Sequence, residues 1–411
     1  MIKKQLVNSE KAVKILFFPD KIGGEDSGAR SARATLKSLI ELGHIVAIYT
    51  ADADKIQMYQ EFNNISYYKV NSVMRANAHF FEAKLVDQFK NILNDFKPDY
   101  FFMAGGIQKP SILAKIARKK GIKNIFLFYI TDYYCAKVYA GLEDGPCYKC
   151  IDKNSLQALS NNCVTGKLKY FNFIKGYLVR KQFQNEILKS YRVVGYSDDQ
   201  INIYKKLGVE YSKCLQISFQ FNPNELNNYS TKDGEYFLIL GQPVLEKGWH
   251  TLSTVFSMCE TSPNIRMVFK NKDAEEKVIN NFNLMSFKES GMIATEIEVV
   301  KREDIINIIS NARAIIIPSY YPTTGEFVLI ESLILGKPVM LYNVGAHNDF
   351  ITHGQNGMVA NVGDFEKFAK NIDEININPE LRMKLSDGSK KLIKKLISDE
   401  YRLNSLKNLF Q

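Results

Sequence analysis

"PSYYPTTGEFVLIESLILGKPVM", Pro318 to Met340, follows one apolar run and leads into another, and it sets two carboxylates, Glu326 and Glu331, near the start of an otherwise apolar helix. A short apolar strand, a Pro-Ser step, a Thr/Gly turn and then a helix is the order of a parallel α/β unit. Thr323-x-x-Glu326 has the form of a capping box, which gives Glu326 a structural reason. Glu331 lacks one: five positions further is about 500° of helix rotation, which places it among Ile330, Leu333 and Ile334, where a carboxylate needs a partner or a ligand.

The same rhythm extends both ways along the chain, with short runs rich in Val, Ile, Phe and Tyr separated by longer helical stretches. Strands are predicted at 14–19, 44–50, 65–70, 99–104, 124–131, 192–197 and 215–219, then at 236–241, 265–270, 297–301, 312–319 and 338–343. Between the two sets lies "NPNELNNYSTKDGE", 222–235, with the composition of a linker. The fold class is therefore α/β, with two Rossmann-like, doubly wound domains at 1–222 and 235–390 facing a central cleft. A last helix, 391–411, is expected to pack back on the first domain.

Composition bounds the rest. The 411 residues carry a net charge of +10, and 45% are hydrophobic, the profile of a folded globular protein rather than a disordered one. The charged opening "MIKKQLVNSEKAVKILFF" runs straight into a strand and no apolar run is long enough to span a bilayer, so a cytoplasmic chain is expected. The positive balance suits anionic partners such as nucleotide phosphates or anionic lipid. No nucleic-acid signature is present and the lysines are scattered, so nucleic acid is not an expected partner.

Two loops suggest anion contacts. Gly23, Gly24 and Gly28 lie between the first strand and its helix, where glycine allows close backbone approach; the segment reads equally as a plain flexible loop. In "LILGQPVLEKGWHTL" the second domain repeats the arrangement, with Lys247 beside Gly248 before a helix. By spacing alone Lys247 is a solvated loop lysine.

Taken in order, the Gly-Gly loop before "ELGHIVAIYT", "GYSDDQINIYKKLGVE", "GQPVLEKG" and the opening stretch leading into "NVGAHNDFITHGQNGMVANVGD" resemble the retaining glycosyltransferases of family 4, which have the GT-B fold. The resemblance covers nearly the whole chain. It implies an N-terminal acceptor-binding domain, a C-terminal nucleotide-sugar-binding domain, and no metal in the chemistry. It further implies that Glu331 holds the donor ribose, that Lys247 binds the diphosphate, and that amides from Gly325 through Phe327 to Val328 help hold phosphate and sugar. Three positions depart from the pattern: Gln242 stands for an arginine, Thr323 for the first glutamate of Glu-x7-Glu, and Thr131, before Asp132, for a histidine. Glu326 is then the carboxylate that could take over from Thr323, with Thr324 beside it, and Gly23 and Gly24 complete the implied donor set. Lys247, Glu326, Thr131 and Asp132 are the candidate catalytic residues.

Cys135, Cys147, Cys150 and Cys163 read C-x11-C-x2-C-x12-C, forming a cysteine-rich insertion at 135–163. Their spacing suits a structural zinc, or less well an iron–sulfur cluster. Next comes "KLKYFNFIKGYLVRKQF", 167–183, where aromatic and aliphatic residues interleave with Lys167, Lys169, Lys175, Arg180 and Lys181. It reads either as a membrane-surface segment or as a helix packed on the domain with its basic face in water. Asp52 and Asp54 are taken as surface residues, and His347 and Asp349 as lining the donor site.

The expected activity is transfer of a sugar from a nucleotide-sugar donor, of unspecified base, to a polysaccharide or lipid-linked glycan at the inner membrane face, with retention of configuration. The three departures support a rival, a GT-B-like subunit that has lost catalysis and scaffolds a partner. A metal-sensing regulator built on the cysteines is a third reading.

Overall fold

The computed structural model describes residues 12–70, 83–106, 111–222, 226, 232–297, 301–396 and 398–411. Most of the linker at 222–235 lies outside them.

Residues of the first half form a seven-stranded sheet from β1 (Lys14–Pro19), β2 (Ile45–Thr50), β3 (Ser66–Lys69), β4 (Tyr100–Gly105), β5 (Lys123–Phe128), β8 (Arg192–Gly195) and β9 (Cys214–Gln216). A two-stranded hairpin, β6 (Gly141–Leu142) and β7 (Gly145–Pro146), stands apart from it. The second half gives β10 (Phe237–Ile239), β11 (Ile265–Phe269), β12 (Ile293–Ile297), β13 (Ala314–Ile317), β14 (Val339–Tyr342) and β15 (Met358–Ala360). Strand orders are β3-β2-β1-β4-β5-β8-β9 and β12-β11-β10-β13-β14-β15, and neighbours within both sheets run parallel.

Both orders reverse direction once, between β1 and β4 and between β10 and β13. Loops leaving two adjacent strands at such a point diverge and open a crevice at the carboxyl ends. In the second sheet those loops carry Lys247 and Glu326.

Strand predictions hold with shifts. The strand expected at 297–301 lies earlier, at Ile293–Ile297, in register with β11, and 298–300 fall outside the described residues. The strand expected at 215–219 is only Cys214–Gln216; the Ile217 amide still donates to the Gly195 carbonyl at 2.9 Å, and Ile217 and Phe219 pack into the core beside the sheet. The three-residue β15 and the hairpin were too short for periodicity to show.

The helix Asp399–Lys407 returns to the first sheet's side. Leu406 and Leu409 join the core that holds Leu36 and Leu39 of the helix Ser27–Glu41, and Arg402 binds Ser38 and Glu41.

The two sheets are held together by polar contacts as well as packing. The Thr324 hydroxyl donates to the Tyr129 carbonyl at 2.8 Å, and the Asp198 amide donates to Asp349 at 2.8 Å. Gly325 has φ +146°, and a Cβ there would lie 2.6 Å from the Phe219 ring, so a side chain at this point would drive the sheets apart.

Candidate functional site

The loop after β10 is pinned to the end of β13. The Tyr320 amide donates to the Glu246 carbonyl at 2.9 Å, and Gly248, at φ +74°, lies so close that a Cβ would be 1.6 Å from the Pro318 carbonyl oxygen. Only glycine fits there. This contact delivers the preceding residue, Lys247, to the opening stretch: its Nζ lies 3.0 Å from Glu326 Oε2 and donates to the Tyr321 hydroxyl at 3.2 Å.

Glu326 does not cap its helix. It occupies the position before Phe327–Ile334, but its side chain makes no capping bond, and the Thr323 hydroxyl accepts instead from the Gly325 amide at 3.1 Å. The carboxylate pairs with Lys247 on one oxygen, and His347 Nε2 lies 3.6 Å from the other. Burial opposes its ionisation, yet Lys247 and His347 outweigh it and hold the carboxyl well below the usual range. Burial likewise works against the charge on Lys247, and Glu326 and Tyr321 reverse that and raise its pKa above the ordinary lysine value. The result is an ionised pair at the switch point, with Glu326 buried and Lys247 a quarter exposed.

Glu331 has partners that its own helix could not supply. Arg30, from the helix Ser27–Glu41 of the other sheet, donates to Oε1 at 2.7 Å, and Arg302 binds the same oxygen. The Arg30 guanidinium also stacks 4.2 Å from the Phe327 ring centroid. Both arginines meet Oε1, which is thus held by two guanidinium groups from different elements.

The amides of Phe327 and Val328 start the helix, and its first internal bonds come from Leu329 and Ile330 to the Glu326 carbonyl. Helix-start amides of this kind suit an anion. Gln242, by contrast, is exposed, and among the described residues its side chain makes no hydrogen bond to Lys247, Tyr321 or Glu326.

On the first sheet's side the glycine loop is stitched from within. Asp52 accepts from the amides of Ile22 at 3.1 Å and Gly23 at 3.0 Å, and Arg33 donates to the carbonyls of Ile22 and Gly24. The Gly23 amide is therefore engaged by Asp52, which corrects the reading of Asp52 as surface. Asp54 pairs with Lys69 at 2.8 Å in solvent. Thr131 is buried and its hydroxyl donates to the Val138 carbonyl at 2.6 Å, folding the loop into the cysteine-rich insertion. The buried Asp132 carboxylate lies over Gly106, where a Cβ would be 2.6 Å from Oδ2.

The insertion bridges the crevice. His250 Nε2 lies 3.2 Å from the Glu143 carbonyl, and the Tyr139 and Tyr321 rings meet edge to face at 5.5 Å. The metal centre expected at its cysteines is not formed: Cys135, Cys147, Cys150 and Cys163 are free thiols, and no group of three or more His, Cys, Asp or Glu among the described residues is arranged to hold a metal ion. Cys135 is buried in the core of the first sheet and Cys150 sits in the short helix Lys149–Asp152, whose flanking Tyr148 and Ile151 pack on that same core. Burial pushes the Cys135 thiol up to about 12.

His347 and Asp349 part company. His347 joins Glu326, whereas Asp349 lines a separate cavity of about 570 Å³ with Tyr196, Phe219, Lys395 and Tyr401. That cavity contains none of Lys247, Glu326 or Glu331, so its size does not make it the site of the motif chemistry. Sequence reasoning also missed Arg30, Arg302, Tyr321 and Asp52. A buried arginine on a helix of small residues, as in "SGARSARATLKS", was the one available signal for Arg30.

Residues 223–392 match the family model of glycosyl transferases group 1. The 2-deoxystreptamine N-acetyl-D-glucosaminyltransferase of Niallia circulans is 24% identical over 234 residues, 51% of this chain and 56% of that protein. An uncharacterised glycosyltransferase of Haemophilus influenzae is 24% identical over 246 residues, 57% of this chain and 65% of that one. The chain thus spans less than two thirds of the length of either curated relative. Among solved structures, the sucrose-phosphate synthase of Thermosynechococcus elongatus superposes with a TM-score of 0.70 at 13% identity, covering 97% of this chain and 98% of that one. Anabaena HepE in complex with UDP and glucose gives 0.66 at 12% identity, covering 97% and 99%. The chain has the GT-B fold, and its residues 223–392 are similar to the glycosyl transferases group 1.

Proposed function

We propose that this chain is a glycosyltransferase, moving a hexosyl-type sugar from a nucleotide-sugar donor to a hydroxyl of a glycan or lipid-linked acceptor, with retention of configuration and on the cytoplasmic side of a membrane. The observation that carries the reading is the Lys247–Glu326 pair at the switch point, beside the helix-start amides of Phe327 and Val328 and the arginine-held carboxylate of Glu331. A diphosphate would take Lys247 from Glu326 and rest on the Phe327 and Val328 amides. That is leaving-group stabilisation by a preset charge and preset dipoles.

In this reading Glu331 Oε2 receives a ribose hydroxyl while Arg30 and Arg302 hold the carboxylate in place. Glu326, released from Lys247, faces the donor sugar in place of the glutamate absent at Thr323, and Thr324 and Gly325 shape the floor. Residues 1–222 serve the acceptor and 235–390 the donor. Thr131 and Asp132, at the carboxyl end of β5, stand on the acceptor side. HepE was crystallised with UDP and glucose, so UDP-sugars are the first donors to try.

The test is nucleoside diphosphate release from a panel of nucleotide sugars, with NMR assignment of the product's anomeric configuration. Wild-type protein should release one nucleotide, and Lys247→Ala should be slower by about 100-fold. A folded wild type that turns over no donor with any glycan or lipid-linked acceptor would overturn the reading, and an inverted product would overturn retention.

A further inference from the structure

The helix Lys169–Leu188 carries apolar side chains on two opposite faces, and only one is covered. Phe173, Val179, Phe183 and Ile187 are buried. The last three enter the core of the first sheet, where Arg118 grips Glu186 at 2.9 Å and Gln184 donates to the Tyr133 carbonyl.

On the other face Tyr170 and Phe171 are each 64% exposed, Ile174 56%, Tyr177 38% and Leu178 44%. Steps of one, three, three and one residue trace a single stripe on a helix of 3.6 residues per turn. Leu168, just before the helix, is also exposed and extends it. Single exposed apolar residues are ordinary, but a continuous aromatic and aliphatic stripe in water marks an interaction surface.

Charge identifies the partner. Lys167 and Lys181 are exposed along the stripe, with Lys169 and Lys175 half-buried at its flanks, and from Lys153 to Asn185 the chain contains no Asp or Glu. Arg180 is not part of this surface: it turns inward toward Cys135 and Cys150, and burial lowers its pKa. A second copy packed face to face would bring two acid-free, lysine-bearing segments together with no carboxylate to pair them. An anionic bilayer meets both needs, taking the rings and aliphatic groups at the headgroup boundary and the lysines at lipid phosphates.

We infer that the stripe Tyr170, Phe171, Ile174, Tyr177 and Leu178, with Lys167 and Lys181, docks the protein on an anionic lipid surface. No helix among the described residues is long and apolar enough to cross a membrane, so this contact is interfacial. The inference is independent of the transferase reading, because lipid docking needs no donor.

Flotation of the full chain with vesicles of phosphatidylcholine, with and without phosphatidylglycerol, tests it. Wild type should float with the anionic vesicles and remain below with the neutral ones. Phe171→Ser, Ile174→Ser and Leu178→Ser combined should abolish flotation while leaving the thermal midpoint unchanged, since these side chains are exposed. Lys167→Gln with Lys181→Gln should raise the lipid needed for half binding by about tenfold or more. The proposal is overturned if wild type ignores anionic vesicles, if the triple-serine variant binds them as wild type does, or if light scattering finds a dimer that this variant splits while vesicles bind neither.

Discussion

Arg30 Nη1 donates to Glu331 Oε1 at 2.7 Å across the two sheets, with both side chains buried. Glu331 is the carboxylate that its own helix leaves without a partner, and the arginine comes from a residue 301 positions away. The pair therefore couples the helix Phe327–Ile334 to the packing of the two sheets.

Removing Arg30 should be costly. Truncating one member of a buried ion pair costs about 3–5 kcal/mol, and the lower end applies here because Arg302 still binds Glu331. Arg30→Ala is expected to lower the midpoint of urea unfolding, and Arg30→Ala with Glu331→Leu should recover part of the loss.

The Lys247–Glu326 pair predicts an acid-labile site. A carboxyl held below its unfolded value, near 4.5, contributes stability that is present above that value and lost as pH falls through the folded one. Thermal midpoints measured downward from about pH 5 should fall more steeply for wild type than for Glu326→Gln. Equal slopes would mean that Glu326 is not held ionised by Lys247.

The same variant separates binding from chemistry. Glu326→Gln removes the anion that competes with a diphosphate for Lys247, so nucleoside diphosphate should bind more tightly. It also removes the carboxylate proposed to face the donor sugar, so turnover should fall by about 100-fold. Weaker nucleotide binding together with normal turnover would refute both roles.

Gly248 and Gly354 offer a controlled comparison. Both have positive φ, +74° and +71°, but a Cβ at Gly248 would strike the Pro318 carbonyl while one at Gly354 meets nothing within 4 Å. Gly354→Ala should cost only the backbone strain, about 1–2 kcal/mol. Gly248→Ala should cost more and also weaken nucleotide binding, because it displaces Lys247.

Much of this was legible in the sequence. The strand rhythm and the composition break after the first seven strands gave two parallel sheets, and a carboxylate at 331 among Ile330, Leu333 and Ile334 announced that it needed a partner. What the sequence could not show was who that partner is. Arg30 and Arg302 reach Glu331 through tertiary packing, which leaves no periodic trace. The Thr323-x-x-Glu326 spacing fitted a cap, but Lys247, delivered by Gly248 from an adjacent strand, offers Glu326 a full charge where the cap offers one amide. The cysteine spacing allowed a metal site, but spacing along the chain does not fix how the side chains are aimed, and no metal-holding group is found among the described residues.

The most direct measurement is the thermal midpoint of wild type and Lys247→Ala against UDP, GDP, ADP and CMP at millimolar concentration. A ligand that binds only the folded state raises the midpoint with the logarithm of its concentration over its dissociation constant. The account predicts that one nucleoside diphosphate raises the wild-type midpoint and that the variant loses most of the rise. No rise with any nucleotide, or an equal rise in the variant, would contradict a donor site built on Lys247.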